Sequence, residues 1–497
     1  MSHNENQNEF DCKLINRREF IKKTAVGAGL VAATMAMPGF MLGKAEAIDL
    51  SQIPMKYKDY NVIFVSFDAL QAAHVGSLGY ARDVTPTIDA IAKEGFSFAN
   101  TISTASWTVP ASMTWFTGVY PSEHRLTNKF AVFNPPNNVL SNLKKLSPDL
   151  MTLAEVLKNN GYATGGFTGN AGVNGFFGYD QGFDTYFYEK GKFGSMGVSI
   201  PKAQEWLKDN GKKKFFMFLH GYDIHGQGIP EGGFDYRFVD KGYDKRYTGS
   251  KEEQEALREE GLEKGETTLR EEDIRFWRAI YDEKIQRTDA LFKKFLVDFE
   301  KTGLMDKTLF VLTSDHGTEF HEHKRFDHGF SLYDELIHVP LVIKLPGQKA
   351  GRVINDQVSS IDVMPTILDL LDVQMPEKAK NQIRGASLTP ALKGSKVAKD
   401  VFFETDYRLY TFKRGIQTVD GWKLIYTMEN KGRELYNVKK DPGEKVNLAE
   451  KEPRKAYELE QRLFAHFKSI GHDLTARRWE TGLNPVYDSQ AKPAVKK

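Results

Sequence analysis

The chain has 497 residues, with 68 Lys and Arg against 66 Asp and Glu and a formal net charge of +2. So even a balance excludes the broad basic surface expected of a nucleic-acid-binding protein, and the length suffices for two or three domains, or for one large α/β domain with an appendage. The one cysteine, Cys12, falls in the amino-terminal leader, which excludes disulfides, thiolate catalysis and cysteine-ligated metals from the rest of the chain.

Residues 1–47 read as a twin-arginine signal peptide. Asn16-Arg17-Arg18-Glu19-Phe20-Ile21-Lys22 supplies the arginine pair, Ala25 to Met37 the apolar run, and Ala45-Glu46-Ala47 a small-residue cleavage site. The run is too short for a comfortable membrane span. The expected partner is the twin-arginine translocase, and the expected location is periplasmic or extracellular. That route carries folded proteins, often with a cofactor already loaded.

Asn61 to Phe67 is a nearly continuous apolar run of strand length that delivers Asp68 at its end. Such runs are strands covered on both faces, and ligands gather at their carboxyl ends. Thr85-Pro86-Thr87 opens a helix through Ile88, Ile91 and Ala92 that stops at Gly95, and Phe96 to Asn100 is the next strand. In Thr108-Val109-Pro110-Ala111-Ser112 a hydroxyl precedes a first-turn proline. Thr108 is therefore placed at a helix N-terminus, where an anion or an ionised oxygen is favoured. An ordinary capping role is the competing reading, and Ser106 is an equally legitimate cap.

Pro135-Pro136 marks a loop, Met151 to Asn160 an amphipathic helix, Tyr162 to Thr168 a strand, and the Gly- and Asn-rich stretch after it a loop of the kind that shapes pockets. Lys214 to His220 is another buried-strand pattern that delivers Asp223 and His225, which can point into a shared site when the backbone is extended. Residues 226–273 form a charged insertion, with Lys251 to Glu260 as a solvated helix face that carries no evident chemistry and could cover the cleft. Arg275 to Thr302 has helical spacing. Thr308 to Thr313 is a strand followed at once by Ser314-Asp315-His316-Gly317-Thr318-Glu319-Phe320-His321-Glu322-His323 and by Asp327-His328-Gly329, the densest set of metal-competent side chains in the sequence. Val401 to Glu404, Gly415 to Val419, Trp422 to Tyr426 and Arg433 to Tyr436 read as a small antiparallel sheet closed by a helix over Pro453 to His472.

The order of these motifs resembles the sulfatase family of the alkaline phosphatase superfamily, from about residue 58 to 470. The resemblance rests on the strand ending in Asp68, on Thr85-Pro86-Thr87-Ile88-Asp89, and on the Thr108 segment with Thr117-Gly118-Val119-Tyr120-Pro121 and His124. It continues through Asp223 with His225, Thr313-Ser314-Asp315-His316-Gly317, His328 before Leu332-Tyr333-Asp334-Glu335, Asp362 with Pro365-Thr366, and Glu434-Leu435-Tyr436 with Asp441-Pro442-Gly443-Glu444. It implies an alkaline-phosphatase-like α/β sandwich around a large mixed sheet, with a small C-terminal antiparallel sheet and helix. The implied boundaries are 58–392 for the catalytic domain, 400–475 for the C-terminal subdomain and 476–497 for a tail. It also implies a divalent metal (Ca, Mg, Mn or Zn) on Asp68, Asp315, His316 and Thr108, with Thr108 as nucleophile. His225 and His328 would contact the anion, protonate the leaving group or help bind a second ion, and Asn170 joins them as a substrate-binding residue.

The sequence departs from the family pattern at several positions. Thr108 stands where the family has Cys or Ser, so formylglycine is not expected, because oxidised threonine would be a ketone. Ser112 replaces the arginine of the motif, Ala69 the second aspartate, and Val119 the basic residue after Thr117-Gly118, and no lysine–tryptophan–histidine segment lies near Thr168 to Asn170. The family points to hydrolysis of sulfuric esters. Unmodified Thr108 points instead to a hydrolase or transferase of phosphodiesters, phosphomonoesters or phosphonates, and the missing contacts to an inactive relative that binds an anionic ligand. The substrate implied is an anionic ester on a small molecule, glycan or lipid head group.

Overall fold

The computed structural model describes residues 54–128, 142–189, 193–408 and 410–475. The leader, the Pro135-Pro136 loop and the tail from 476 lie outside the described residues.

The seven residues of β1 (Asn61–Phe67) are all buried because parallel strands flank it on both sides, β5 (Phe215–Gly221) and β6 (Thr308–Thr313). Its side chains alternate between two cores. Val62 and Phe64 enter one, and Ile63, Val65 and Phe67 the other, the two-residue period of a strand covered on both faces. The sheet has nine strands. β5 continues to β3 (Ala163–Thr168) and β4 (Thr185–Tyr188); β6 continues to β9 (His338–Lys344), then β2 (Phe96–Ile102) with β10 (Arg352–Ile354) and β11 (Val358–Ser359) at its far edge. β9 runs antiparallel to both β2 and β6, so the sheet is mixed. β4 has no counterpart among the predicted strands. Its Thr185-Tyr186-Phe187-Tyr188 is short and only part-buried, as edge strands are.

The first core carries α2 (Thr108–Thr117) and α3 (Leu153–Asn159); the second carries α1 (Pro86–Glu94), α4 (Met196–Asn210) and the 30-residue α6 (Glu271–Glu300). Between α4 and α6 the charged insertion folds as α5 (Lys251–Lys264), started by a capping box between Ser250 and Glu253. A hairpin of β7 (Glu319–Phe320) and β8 (Phe326–Asp327) follows β6. The C-terminal part is an antiparallel meander, β12 (Val401–Tyr407), β13 (Thr411–Gln417), β14 (Trp422–Thr427) and β15 (Gly432–Asn437). Ile416, Leu424 and Leu435 pack there against Leu459, Leu463 and Phe467 of α7 (Pro453–Ser469). This is the sandwich with a small C-terminal sheet and helix that the sequence predicts. Among the described residues, no helix is long and apolar enough to cross a membrane.

Strand register sets up the site. Ser66 on β1 is level with His220 on β5 and Thr313 on β6, so Asp68 and Asp315 leave adjacent strands at the same end of the sheet.

Candidate active site

Asp68, Asp315 and His316 are buried, and their ligand atoms lie within 4.8 Å of one another, the only such group among the described residues. Asp68 Oδ1 and Asp315 Oδ2 have no hydrogen-bond partner. Burial, reinforced by the Asp315 carboxylate, pushes Asp68 well above the usual carboxylate range. Two buried carboxylates with an unsatisfied oxygen each call for a compensating charge, which a divalent cation would supply. His316 suits such an ion as well. Its Nδ1 donates to the Gly317 carbonyl at 2.6 Å, which leaves the Nε2 lone pair for a metal. Burial also lowers its pKa, so the ring is neutral. The residues present therefore fit the metal that the resemblance implies.

Thr108 opens α2 as its first residue, after Trp107 in extended conformation and without a side-chain cap. Its hydroxyl is thus not used up as a capping acceptor. It lies 3.4 Å from Asp68 Oδ2 and 3.3 Å from His316 Nε2. Ser106 does not cap the helix, and its buried hydroxyl has no partner. Gly172, in the loop after β3, closes over Thr108: an added Cβ would come 3.2 Å from that of Thr108, while the Gly172 amide donates to Tyr222 Oη at 2.7 Å.

Ser112, at the arginine position of the family motif, is tied into its own helix. Its hydroxyl donates to the Thr108 carbonyl at 2.5 Å and lies 2.7 Å from Tyr179 Oη, which itself donates to the Val109 carbonyl at 2.8 Å. Tyr179 thus braces the first turn of α2. His124 braces it from the other side, with Nε2 donating to the Pro110 carbonyl at 3.1 Å.

His225 and His328 join the site. Ring centroids are 4.2 Å apart for His316 and His328, 4.9 Å for His225 and His328, and 6.5 Å for His225 and His316. Phe193 stacks on His225 at 5.1 Å. Asp223 does not accompany His225: its carboxylate accepts from the Met196 amide at 2.7 Å and caps α4, because the chain turns after β5 instead of staying extended. Asn170 is buried in the loop after β3 at φ 78°, and its side-chain oxygen accepts from Asn174 at 2.8 Å, which commits that oxygen to the loop.

Of four further contributors, only Asp327 stands in the metal-competent cluster of the sequence; the other three were not legible as site residues. His220 is buried with Nε2 3.3 Å from Asp68 Oδ2; its place near the end of a strand beside β1 is the cue in the sequence. Asp327 pairs with His328 Nδ1 through one oxygen, and its other oxygen lies 3.4 Å from Arg258 of α5. Burial opposes ionisation of Asp327, but His328 and Arg258 outweigh it and hold the carboxyl below its ordinary range. Lys284 of α6 donates to the carbonyls of His225 at 3.1 Å and Gly226 at 2.9 Å, and burial lowers it to about 7. The charged insertion is therefore not a solvated face throughout. Gln254, Leu257 and Arg258 are buried, and Arg258 reaches the residue beside His328.

A mixed α/β sandwich with two acids, a histidine and a hydroxyl at adjacent strand and helix ends has the fold class of the alkaline phosphatase superfamily. The chain belongs to the sulfatase family: the Sulfatase model matches residues 60–373, and the model for the C-terminal part of N-sulphoglucosamine sulphohydrolase matches residues 321–470. It is similar to arylsulfatase K of Bos taurus, 29% identical over 207 residues that cover 39% of this chain and 37% of that protein. It is also similar to a Delta 4,5-hexuronate-2-O-sulfatase of Bacteroides thetaiotaomicron, 30% identical over 193 residues that cover 37% and 39%. The match thus spans less than half the length of these relatives. The phosphonate monoester hydrolase of Agrobacterium radiobacter shares the fold, with a TM-score of 0.64 and 20% identity over 83% of this chain and 96% of that one.

Proposed function

We propose that this chain is an exported, divalent-metal-dependent hydrolase of sulfuric esters that attacks through the unmodified hydroxyl of Thr108. The observation that carries the reading is the position of that hydroxyl, 3.4 Å from Asp68 and 3.3 Å from His316 at the start of a helix. A metal held by Asp68, Asp315 and His316, when bound, would favour the ionised hydroxyl and polarise a non-bridging ester oxygen.

Thr108 Oγ1, its proton released to solvent as the hydroxyl ionises, forms a bond to the ester sulfur in line with the departing alcohol oxygen. The sulfur–oxygen bond to that alcohol breaks, and the alkoxide takes a proton from His225. Water then attacks the sulfur of the threonine ester and the bond from sulfur to Thr108 Oγ1 breaks; one water proton goes to that oxygen and the other to His225, returning sulfate, the Thr108 hydroxyl and protonated His225. Division of one high barrier into two is what a covalent route contributes. Lys284 holds the His225 backbone, and Asp327 holds the His328 ring, which faces the same anion. The twin-arginine leader at 1–47 supports export of the folded protein.

A second reading, a phosphoric or phosphonic ester as substrate, has its own support in the absence of Cys or Ser at 108 and in the fold shared with a phosphonate monoester hydrolase. A panel of aryl sulfate, phosphate monoester, phosphodiester and phosphonate, assayed with wild type and Thr108→Ala in metal-replete buffer, decides between them. Turnover of sulfate esters above all others supports the proposal. Phosphate or phosphonate turnover alone selects the second reading. No turnover, with the two proteins indistinguishable, overturns both in favour of an anion-binding relative.

A further inference from the structure

We infer that His220 is a positioning residue for the metal site, holding the Asp68 carboxylate from behind. The inference rests on the metal reading of Asp68, Asp315 and His316, and it assigns a task to a side chain for which the proposed chemistry has none.

His220 lies on β5, level with Ser66 of β1, and Asp68 is two residues beyond Ser66. Both side chains are fully buried, with His220 Nε2 3.3 Å from Asp68 Oδ2. A carboxylate oxygen only accepts, so this contact makes Nε2 the N–H nitrogen. His220 is not among Asp68, Asp315 and His316, whose ligand atoms all lie within 4.8 Å of one another, and its polar contact is with the Asp68 carboxylate.

The arrangement divides the two oxygens of Asp68. Oδ2 receives His220 and Thr108, whereas Oδ1 has no partner and is left for the cation. When Thr108 is ionised it no longer donates to Oδ2. His220 is then what keeps the carboxylate from rotating about its bond to Cβ. The ring is itself fixed: its edge meets Tyr222 at 4.7 Å, and it stacks over Phe218 at 6.1 Å. Tyr222 is anchored in turn by the Gly172 amide of the loop that covers Thr108.

This support matters more here because position 69 offers no carboxylate. Ala69 sits at φ 61° and uses only its backbone, with its amide donating to Asp315 Oδ1 at 3.1 Å and its carbonyl accepting from Tyr281 Oη at 2.6 Å. With one ligand fewer, the orientation of each remaining carboxylate carries more of the affinity, and outer donors to a ligand are what fix that orientation.

The test is calorimetric titration of Mn²⁺ and of Zn²⁺ into chelator-stripped full-length protein, comparing wild type, His220→Leu and His220→Gln, with the melting temperature of each metal-free protein measured alongside. We expect His220→Leu to weaken metal binding about 10- to 100-fold. His220→Gln, whose carboxamide N–H reaches the same oxygen, should recover most of that loss, and the metal-free melting temperatures of the two variants should agree. Equal affinity in wild type and His220→Leu overturns the inference. So does a loss of affinity matched by an equal collapse of metal-free stability in both variants, which would make His220 a core residue only. A wild type that takes up neither ion, nor Ca²⁺ or Mg²⁺ titrated in the same way, overturns the inference and the metal-dependent reading together; metal binding without ester turnover defeats the hydrolase reading alone and leaves the affinities to decide the role of His220.

Discussion

Thr108 Oγ1 lies 3.3 Å from His316 Nε2, the nitrogen left without a proton because His316 Nδ1 donates to the Gly317 carbonyl. In the function proposed above, this hydroxyl and this imidazole lone pair, buried beside the Asp68 and Asp315 carboxylates, would be ligands of one cation, with the hydroxyl also placed to attack.

From this relationship, Thr108→Ala should lower kcat/KM by at least about 10³-fold, because the hydroxyl proposed to attack is removed. Ser106 and Ser112 are nearby in sequence, but Ser112 is held by Tyr179 and the Thr108 carbonyl. Thermal unfolding should move little, since only a methyl and a hydroxyl are lost. Mass analysis of the tryptic peptide containing Thr108 should return unmodified threonine; a ketone mass would contradict the proposed nucleophile.

Metal removal should destabilise the protein, because Asp68 and Asp315 then face each other with unsatisfied oxygens. Saturating metal at about 100 times Kd adds about 2.7 kcal/mol by mass action, read as a rise in melting temperature. Asp315→Asn should abolish most of that rise while making the metal-free protein more stable than the metal-free wild type, since one of two apposed buried charges is gone. Full metal occupancy in Asp315→Asn, measured by plasma mass spectrometry, would show the ligand set to be wrong.

Arg258 and Asp327 form a pair between the charged insertion and the segment that carries His328. Removing Arg258 leaves the buried Asp327 carboxylate with His328 as its remaining partner, so Arg258→Met should cost about 2 kcal/mol in urea unfolding. Asp327 is also strained, at φ 80°. Glycine adopts that conformation freely, so the double variant Arg258→Met with Asp327→Gly should recover stability relative to Arg258→Met alone. Its kcat should stay low, because the His328 ring has lost its orienting carboxylate.

Glu319 gives stability a pH dependence. Burial, reinforced by the Glu335 carboxylate, pushes it from the ordinary 4.5 up to about 8. The folded state then binds the proton more tightly than the unfolded state, so this contribution is fully present below about 4.5 and is lost as pH rises to about 8. Chemical denaturation between pH 5 and 9 should show Glu319→Gln with a shallower decline than wild type. Parallel curves for the two proteins would place the dependence elsewhere.

Much of this protein follows from local pattern. The apolar runs of β1, β5 and β6 specify strands buried on both faces, which places Asp68 and the Asp315-His316 pair at strand ends, and the resemblance to the sulfatase family is what implies that they share one site. Pro110 in the first turn of a helix likewise placed Thr108 at its start. Tertiary structure decided what side-chain direction and long-range pairing decide. Asp223 and His225 are two residues apart, yet one caps α4 and the other faces His328, because the backbone turns between them. Arg258 reads as part of a solvated charged helix until the fold buries it against Asp327, 69 residues away. His220 reads as the polar end of an apolar strand, and only the register of β5 on β1 places it beside Asp68. Residue type and periodicity determine which segments form strands and helices; which polar side chains meet depends on register and packing between segments far apart in the chain.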